Sequence, residues 1–191
     1  MKQYITSHGY YHIQLQPPPG VALFASNGER AYVIALLQDL LSPRFMLQQT
    51  PPSKQLSSCI DLLAFSLTKN EIHLLVFSID ASVSRYLASF LMRQLDTYTS
   101  ESRPKQKPSK TPPIFINITK LRGSHHALQQ SLELHLLHTD WEYDRYSSIG
   151  FYLHDRRGDW MRIWRLTNLY ENKATHYRTL IQHRALALPH G

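Results

Sequence analysis

Residues 63–76 read Leu63-Ala64-Phe65-Ser66-Leu67-Thr68-Lys69-Asn70-Glu71-Ile72-His73-Leu74-Leu75-Val76. Two apolar runs flank the polar tripeptide Thr68-Lys69-Asn70, the pattern of an antiparallel hairpin. The spacing predicts one strand over Leu56–Leu67 and a second over Glu71–Ile79. With a side-chain period of two, Glu71, His73, Leu75 and Phe77 share one face of the second strand, and Ile72, Leu74 and Val76 take the other. A carboxylate and an imidazole two residues apart on a strand lie about 6.6 Å apart along the backbone and can converge on one divalent cation. The plain alternative is a half-exposed strand that happens to carry both residues.

Upstream, Tyr11, Ile13 and Leu15 alternate with polar residues, which predicts a strand over Tyr10–Gln16, stopped by Pro17-Pro18-Pro19-Gly20. Asn27 reads as the cap of a helix to about Leu41, with Tyr32, Val33, Leu36, Leu37 and Leu40 on one face. Downstream, Ser82 opens a helix whose stripe is Val83, Tyr86, Leu87, Phe90, Leu91, Leu95 and Tyr98. Residues 101–113 hold Arg103, Lys105, Lys107 and Lys110 among four prolines and read as a basic loop. Ile114–Ile118 reads as a short strand, and Ser124 opens a helix to about His138. The order β-α-β-β-α-β-α is that of an α+β domain built as a ferredoxin-like split βαβ sheet with helices on one face. It predicts a domain over residues 1–140. Residues 141–191 form a helical extension, periodic over Trp160–Tyr170 and Thr175–Ala187.

The net charge of +7 is uneven. Residues 1–102 hold 7 basic and 7 acidic side chains, and residues 103–191 hold 14 and 7. A basic surface confined to one part of a chain favours a polyanion, most often nucleic acid; a solvated face without a partner is the alternative. The candidate DNA-binding cations are Arg103, Lys105, Lys107, Lys110, Lys120, Arg122, Arg156, Arg157, Arg162 and Arg165. Trp160-Met161-Arg162-Ile163-Trp164-Arg165 interleaves aromatics with cations, as stacking on bases and pairing with phosphates require. An amphipathic helix would give the same pattern by packing Trp160, Ile163 and Trp164 and leaving the arginines wet. Cys59 is the only cysteine, so an intrachain disulfide and a cysteine zinc site are excluded. No run approaches the roughly 18 apolar residues of a membrane span, and the chain reads as cytoplasmic. His125, His126, His135 and His138 lack a neighbouring carboxylate or cysteine at ligand spacing. No glycine-rich phosphate loop is present, and Ser-His-Asp chemistry has no local support in the sequence.

In Leu63–Val76 above all, the chain resembles the REP-associated tyrosine transposases, the single-tyrosine branch of the HUH single-strand endonucleases. Tyr11-His12-Ile13-Gln14-Leu15 is similar to the family's opening strand, Leu23-Phe24 with Glu29-Arg30 to its entry into the first helix, and Leu91-Met92 with Tyr98 to its second helix. Tyr146-Ser147-Ser148 resembles its Trp/Tyr-Ser-Ser segment, and Trp160, Tyr170 and Ala174–Tyr177 its C-terminal extension. The resemblance implies an HUH-type fold, a single-stranded or hairpin DNA partner, a divalent metal held by two histidines, and a tyrosine nucleophile on the last core helix. The chain departs from the family's pattern in three places. Glu71 stands where the first metal-binding histidine belongs, so the pair is Glu71 and His73, suited to weak binding of magnesium or manganese. The nucleophile's segment is His135-Leu136-Leu137-His138-Thr139-Asp140, and the stripe Leu128, Leu132, His135 aims His135 at the tyrosine's place. The Arg-Gly-Asn-like DNA-contacting turn is replaced by Gln16–Gly20. The expectation is a domesticated, catalytically degenerate DNA-binding protein, nucleoid-associated in the cytoplasm, with Glu71, His73 and His135 as the altered site. One alternative is an active metal-dependent nicking enzyme using Glu71 and His73 with a displaced tyrosine, Tyr143 or Tyr146. Another is a subunit of a DNA-processing complex whose basic surface meets an acidic protein.

Overall fold

The structure, a computed structural model, describes residues 8–42, 56–102 and 113–187. Arg103, Lys105, Lys107 and Lys110 lie outside the described residues. Four strands, β1 (Gly9–Gln16), β2 (Ile60–Leu67), β3 (Ile72–Ser78) and β4 (Phe115–Leu121), form one antiparallel sheet in the order β2-β3-β1-β4. The β2–β3 hairpin is the one read from residues 63–76; Thr68 closes it by accepting the Glu71 and Asn70 amides on its hydroxyl. Because each neighbour is antiparallel, β1 and β2 run the same way with β3 between them, and β3 and β4 run the same way with β1 between them. The fold is α+β.

Helix α1 (Asn27–Leu41) links β1 to β2 through a short α2 (Leu56–Cys59), and α3 (Ala81–Ser102) links β3 to β4. They cover the face that carries Tyr11, Ile13, Leu15, Ile72, Leu74 and Val76, all buried. Val33 and Leu37 of α1 and Leu87, Leu91 and Leu95 of α3 complete that core, as their helical spacing predicts. Helix α4 (Ser124–His135) packs chiefly on β2. Beyond it come α5 (Ile149–Tyr152), α6 (Trp164–Thr167) with a 3-10 turn (Asn168–Tyr170), and α7 (Ala174–Ala187).

Several boundaries differ from the sequence reading. Leu56–Cys59 is helical rather than the start of β2. Ser26, not Asn27, caps α1 by accepting the Glu29 amide. Asp80 caps α3, its carboxylate accepting the Ser82 and Val83 amides; a carboxylate beside those donors is stabilised in its ionised form. Helix α4 stops at His135, where Leu136 turns back onto Leu132 and Glu133. Trp160 and Met161 precede helix α6 and lie along β2, Met161 bridging Leu62. No helix among the described residues is long and apolar enough to cross a membrane.

The extension after residue 140 is sewn to the outer edge of β2. Leu67 N–H donates to the Tyr146 carbonyl at 2.9 Å, Ser148 N–H to the Phe65 carbonyl at 2.9 Å, and Arg162 N–H to the Leu62 carbonyl at 2.8 Å. The Tyr152 hydroxyl donates to the Leu63 carbonyl at 2.8 Å. An edge strand left open is a template for other chains, and these contacts close it.

Candidate functional site

The second sheet face carries the chemistry. Period-two placement puts Glu71, His73, Leu75 and Phe77 of β3 on it, as read from the sequence, and the register adds Gln14 opposite His73 and Ser66 on the other side. The His73 Nε2 lies 2.7 Å from Glu71 Oε2, and His73 Nδ1 lies 3.1 Å from His12 Nε2. The proton arrangement that satisfies both contacts has His12 donating to His73 and His73 donating to Glu71. Both imidazoles are then neutral. Burial, with His73 adjacent, holds His12 down to about 4. Burial lowers His73 as well, opposed by its hydrogen bond to Glu71. Gln14 donates to the other Glu71 oxygen at 3.3 Å and to Gln16 at 3.0 Å.

Glu71 and His73 thus meet each other rather than converging on a cation. Both ring nitrogens of His73 are engaged in hydrogen bonds, so a cation would have to displace the His73–Glu71 contact to reach the pair. Among the described residues no group of three or more His, Cys, Asp or Glu side chains is placed to hold one.

His135 does not point at this face. It is fully enclosed, with Nδ1 2.6 Å from the Tyr177 hydroxyl and Nε2 2.7 Å from Ser148 Oγ. Tyr152 and Tyr177 pack edge-on against its ring. Burial lowers its pKa to about 3 and raises those of both tyrosines. Tyr177 therefore donates to Nδ1, and Nε2 donates to Ser148. The expected position is corrected for a simple reason. Helix α7 supplies Tyr177 against the stripe that carries His135 and turns that stripe into core.

The histidine that reaches the sheet is His138, beyond the end of α4. Ser66 Oγ lies 2.8 Å from His138 Nε2, and His138 Nδ1 lies 2.7 Å from Asp144 Oδ2. Burial lowers the His138 pKa, opposed by Asp144 and aided by Arg30 and His73. This row has the order of a Ser-His-Asp triad, which the sequence did not suggest. Ser66 is 0% exposed, however, so the row clamps the 139–146 segment to the sheet instead of presenting a nucleophile.

The β1–β4 half of the same face is open among the described residues. Phe115 is 53% exposed, Asn117 and Thr119 are exposed, and Tyr10, His12, Gln14 and Gln16 are half-buried. At its far end Tyr10 meets Phe77 edge-on at 5.0 Å, and the Arg165 guanidinium lies 4.0 Å from the Phe77 ring centroid and 4.7 Å from that of Trp164. Glu71, His73, Phe77 and Arg165 are thereby brought to one surface.

The other sequence candidates scatter. Arg165 pairs with Asp61 at 2.6 Å and Arg162 Nε lies 4.0 Å from the same carboxylate, so Asp61 offsets part of their charge. Arg156 donates to the carbonyls of Asp144, Arg145 and Ser147 and holds that loop, an internal role instead of a free cation. Arg157 and Arg122 are exposed. Lys120 sits on the helix-covered side of β4, 5.9 Å from the Tyr11 ring centroid. Trp160 is buried against Phe65 and Phe151, whereas Trp164 is 51% exposed. Tyr146 lies under the Arg30 guanidinium, and Tyr143 is 84% exposed.

The sequence reading missed His12, Ser66, His138 with Asp144, and the open face of β4. His12 was signalled by the alternation of β1, which sets it opposite Tyr11 and Ile13; its partner was set by the register alone. Neither the sequence nor the fold matches a protein-family model, a curated protein or a solved structure.

Proposed function

We propose that this protein binds single-stranded or hairpin DNA across the open half of its sheet, as a catalytically degenerate relative of the REP-associated tyrosine transposases on a ferredoxin-like, HUH-type scaffold. The observation that carries the reading is the composition of that face. A sheet surface with Phe115, Asn117 and Thr119 exposed, beside half-buried Tyr10, Phe77, Gln14 and Gln16, offers a ring for stacking and polar groups for base edges. The split strand order supports the scaffold reading. The excess of cations after residue 102 supports a polyanionic partner in a cytoplasmic, nucleoid-associated setting. A protein partner with an acidic surface is the alternative use of those cations.

At the positions aligned with the resembled family's first metal-binding histidine and its tyrosine, this chain has Glu71 and His135. Where the tyrosine is expected stands a buried histidine bonded to Tyr177 and Ser148. Glu71 and His73 satisfy each other, so magnesium or manganese is expected to bind weakly there, and DNA binding is expected without metal.

The test is fluorescence anisotropy with labelled single-stranded, hairpin and duplex oligonucleotides over a range of salt. Single strands and hairpins should bind more tightly than random duplex, with a log–log salt slope of about −0.7 per phosphate contacted. Incubation with magnesium or manganese and then a denaturing gel should give no covalent adduct. An adduct lost in Tyr143→Phe or Tyr146→Phe would restore the nicking enzyme. Equal affinity for duplex and hairpin would remove the sheet face from the reading.

A further inference from the structure

Beside the sheet, the extension encloses a cavity of about 370 Å³ between residues 151–158 and the α6 region. Its walls differ in kind. Trp164, Ile163 and Met161 contribute apolar lining, and Arg156, Arg157, His154 and Asn172 contribute polar lining. The charged side chains that line it are all cationic. Arg156 is held in place by its three carbonyl acceptors, and Gly150 leaves room for its stem: a Cβ there would come within 3.0 Å of Arg156 Cγ.

The backbone marks the same place. His154 and Asn172 adopt φ of 65° and 53°, the left-handed region, and both line this cavity. Asn and His are among the residue types that enter this region most readily, and His154 does so just past the C-cap of α5. The Asn172 turn is fixed by its N–H donating to the Thr167 carbonyl at 2.8 Å. An indole and aliphatic side chains beside the exposed Arg157 and the anchored Arg156, in a volume of this size, suit a ligand that is aromatic at one end and anionic at the other.

We propose that this cavity binds one nucleotide, its base against the Trp164 indole and its phosphate on Arg157 and His154 with Asn172 donating beside them. Arg165 stacks over the same indole from the sheet side, so Trp164 separates the cavity from the Phe77 end of the open face. The site goes beyond the sheet-face reading and does not depend on it. The nucleotide is either free or the end of a strand, and the same contacts serve both.

The experiment titrates the full chain with thymidine 5′-monophosphate, adenosine 5′-monophosphate, thymidine and inorganic phosphate, by calorimetry and tryptophan fluorescence. Oligonucleotides with and without a 5′-phosphate form a second arm. Both monophosphates should bind saturably, with thymidine and phosphate each weaker by about tenfold or more, since a base stack and a phosphate contact are then lost singly. Arg157→Ala and Trp164→Ala, both at exposed positions, should each weaken monophosphate binding by about tenfold with the melting temperature unchanged. Preference for the 5′-phosphorylated oligonucleotide assigns the cavity to strand ends; indifference assigns it to free nucleotides. Phe115→Ala should weaken oligonucleotides and leave monophosphates untouched, which separates failure of the sheet reading from failure of this one. Absence of monophosphate binding, inorganic phosphate binding as tightly as a monophosphate, or affinity unchanged in both cavity variants would overturn the proposal.

Discussion

At the β2 edge of the sheet, backbone groups of Leu62, Phe65 and Leu67 are taken by Arg162, Ser148 and Tyr146. At the β4 edge, Phe115, Asn117 and Thr119 hold their side chains in solvent. The two edges belong to the same four-stranded sheet and differ in whether the C-terminal extension packs against them. Behind β2 lies a layered interior in which Tyr177 and Ser148 satisfy both ring nitrogens of His135 and Tyr152 packs against the rings while bonding the Leu63 carbonyl. On β4 the polar side chains of the same face, Asn117 and Thr119, are exposed, while those of β1 are half-buried and bonded to one another and to β3. On that face the β2 side is interior, and the β4 side is exposed.

The largest test of that division is Tyr177→Ala. It removes a buried ring stacked on Tyr152 at 4.6 Å and the donor to His135 Nδ1. Loss of a large buried aromatic costs about 3–5 kcal/mol. Chemical denaturation reads it, and a loss below about 1 kcal/mol would break the comparison, since that is the scale of an ordinary surface change.

Acid comes next. His12 and His135 titrate near 4 and 3 in the folded chain, and His73 and His138 are also lowered. The unfolded chain, with histidine near 6.5, therefore binds more protons, so stability is full above that value and falls as pH drops through it. His12 and His135 each steepen the fall by about 1.4 kcal/mol per pH unit until their folded values are reached. Denaturation midpoints measured from pH 7.5 down to 5 should decline, and His135→Gln should flatten the profile; a level profile contradicts the buried neutral assignment.

Ser148→Ala is smaller. It leaves His135 Nε2 and the Phe65 amide without their shared acceptor, at a cost of about 1–3 kcal/mol. Phe115→Ala should be smallest for folding, within about 0.5 kcal/mol, while weakening single-strand binding by about 1–3 kcal/mol if a base stacks on it. A Phe115→Ala protein that unfolds readily, or binds DNA as before, would erase the contrast between the edges.

Much of the fold was legible because hydrophobic period maps directly onto local geometry. The alternation in Leu63–Val76 and Tyr11–Leu15 set strands and faces, and the 3.6-residue stripes of α1 and α3 set which side they bury. Helix ends were less legible: Ser26 and Asp80 compete with Asn27 and Ser82 as caps, and neighbouring polar residues differ little in sequence pattern. The site was legible only in part. Glu71 and His73 were found because one strand carries both. His12 and Ser66 were not, because their meeting with His73 depends on which strands pair and in which register.

The sequence by itself determined the hairpin, the shared face of Glu71, His73 and Phe77, the single cysteine and the basic second half, since each is a local or compositional property. Tertiary structure decided which histidine reaches the sheet. His135 lies on the apolar stripe of α4 and would face the sheet on an isolated helix. Helix α7, some forty residues on in the chain, brings Tyr177 against it, and the Tyr177 hydroxyl and Ser148 satisfy both ring nitrogens and offset the cost of burying the imidazole. His138 turns to Ser66 only because Asp144 returns to hold its other nitrogen. Contacts between residues far apart in sequence are set by the packing of whole elements, and no local period encodes them.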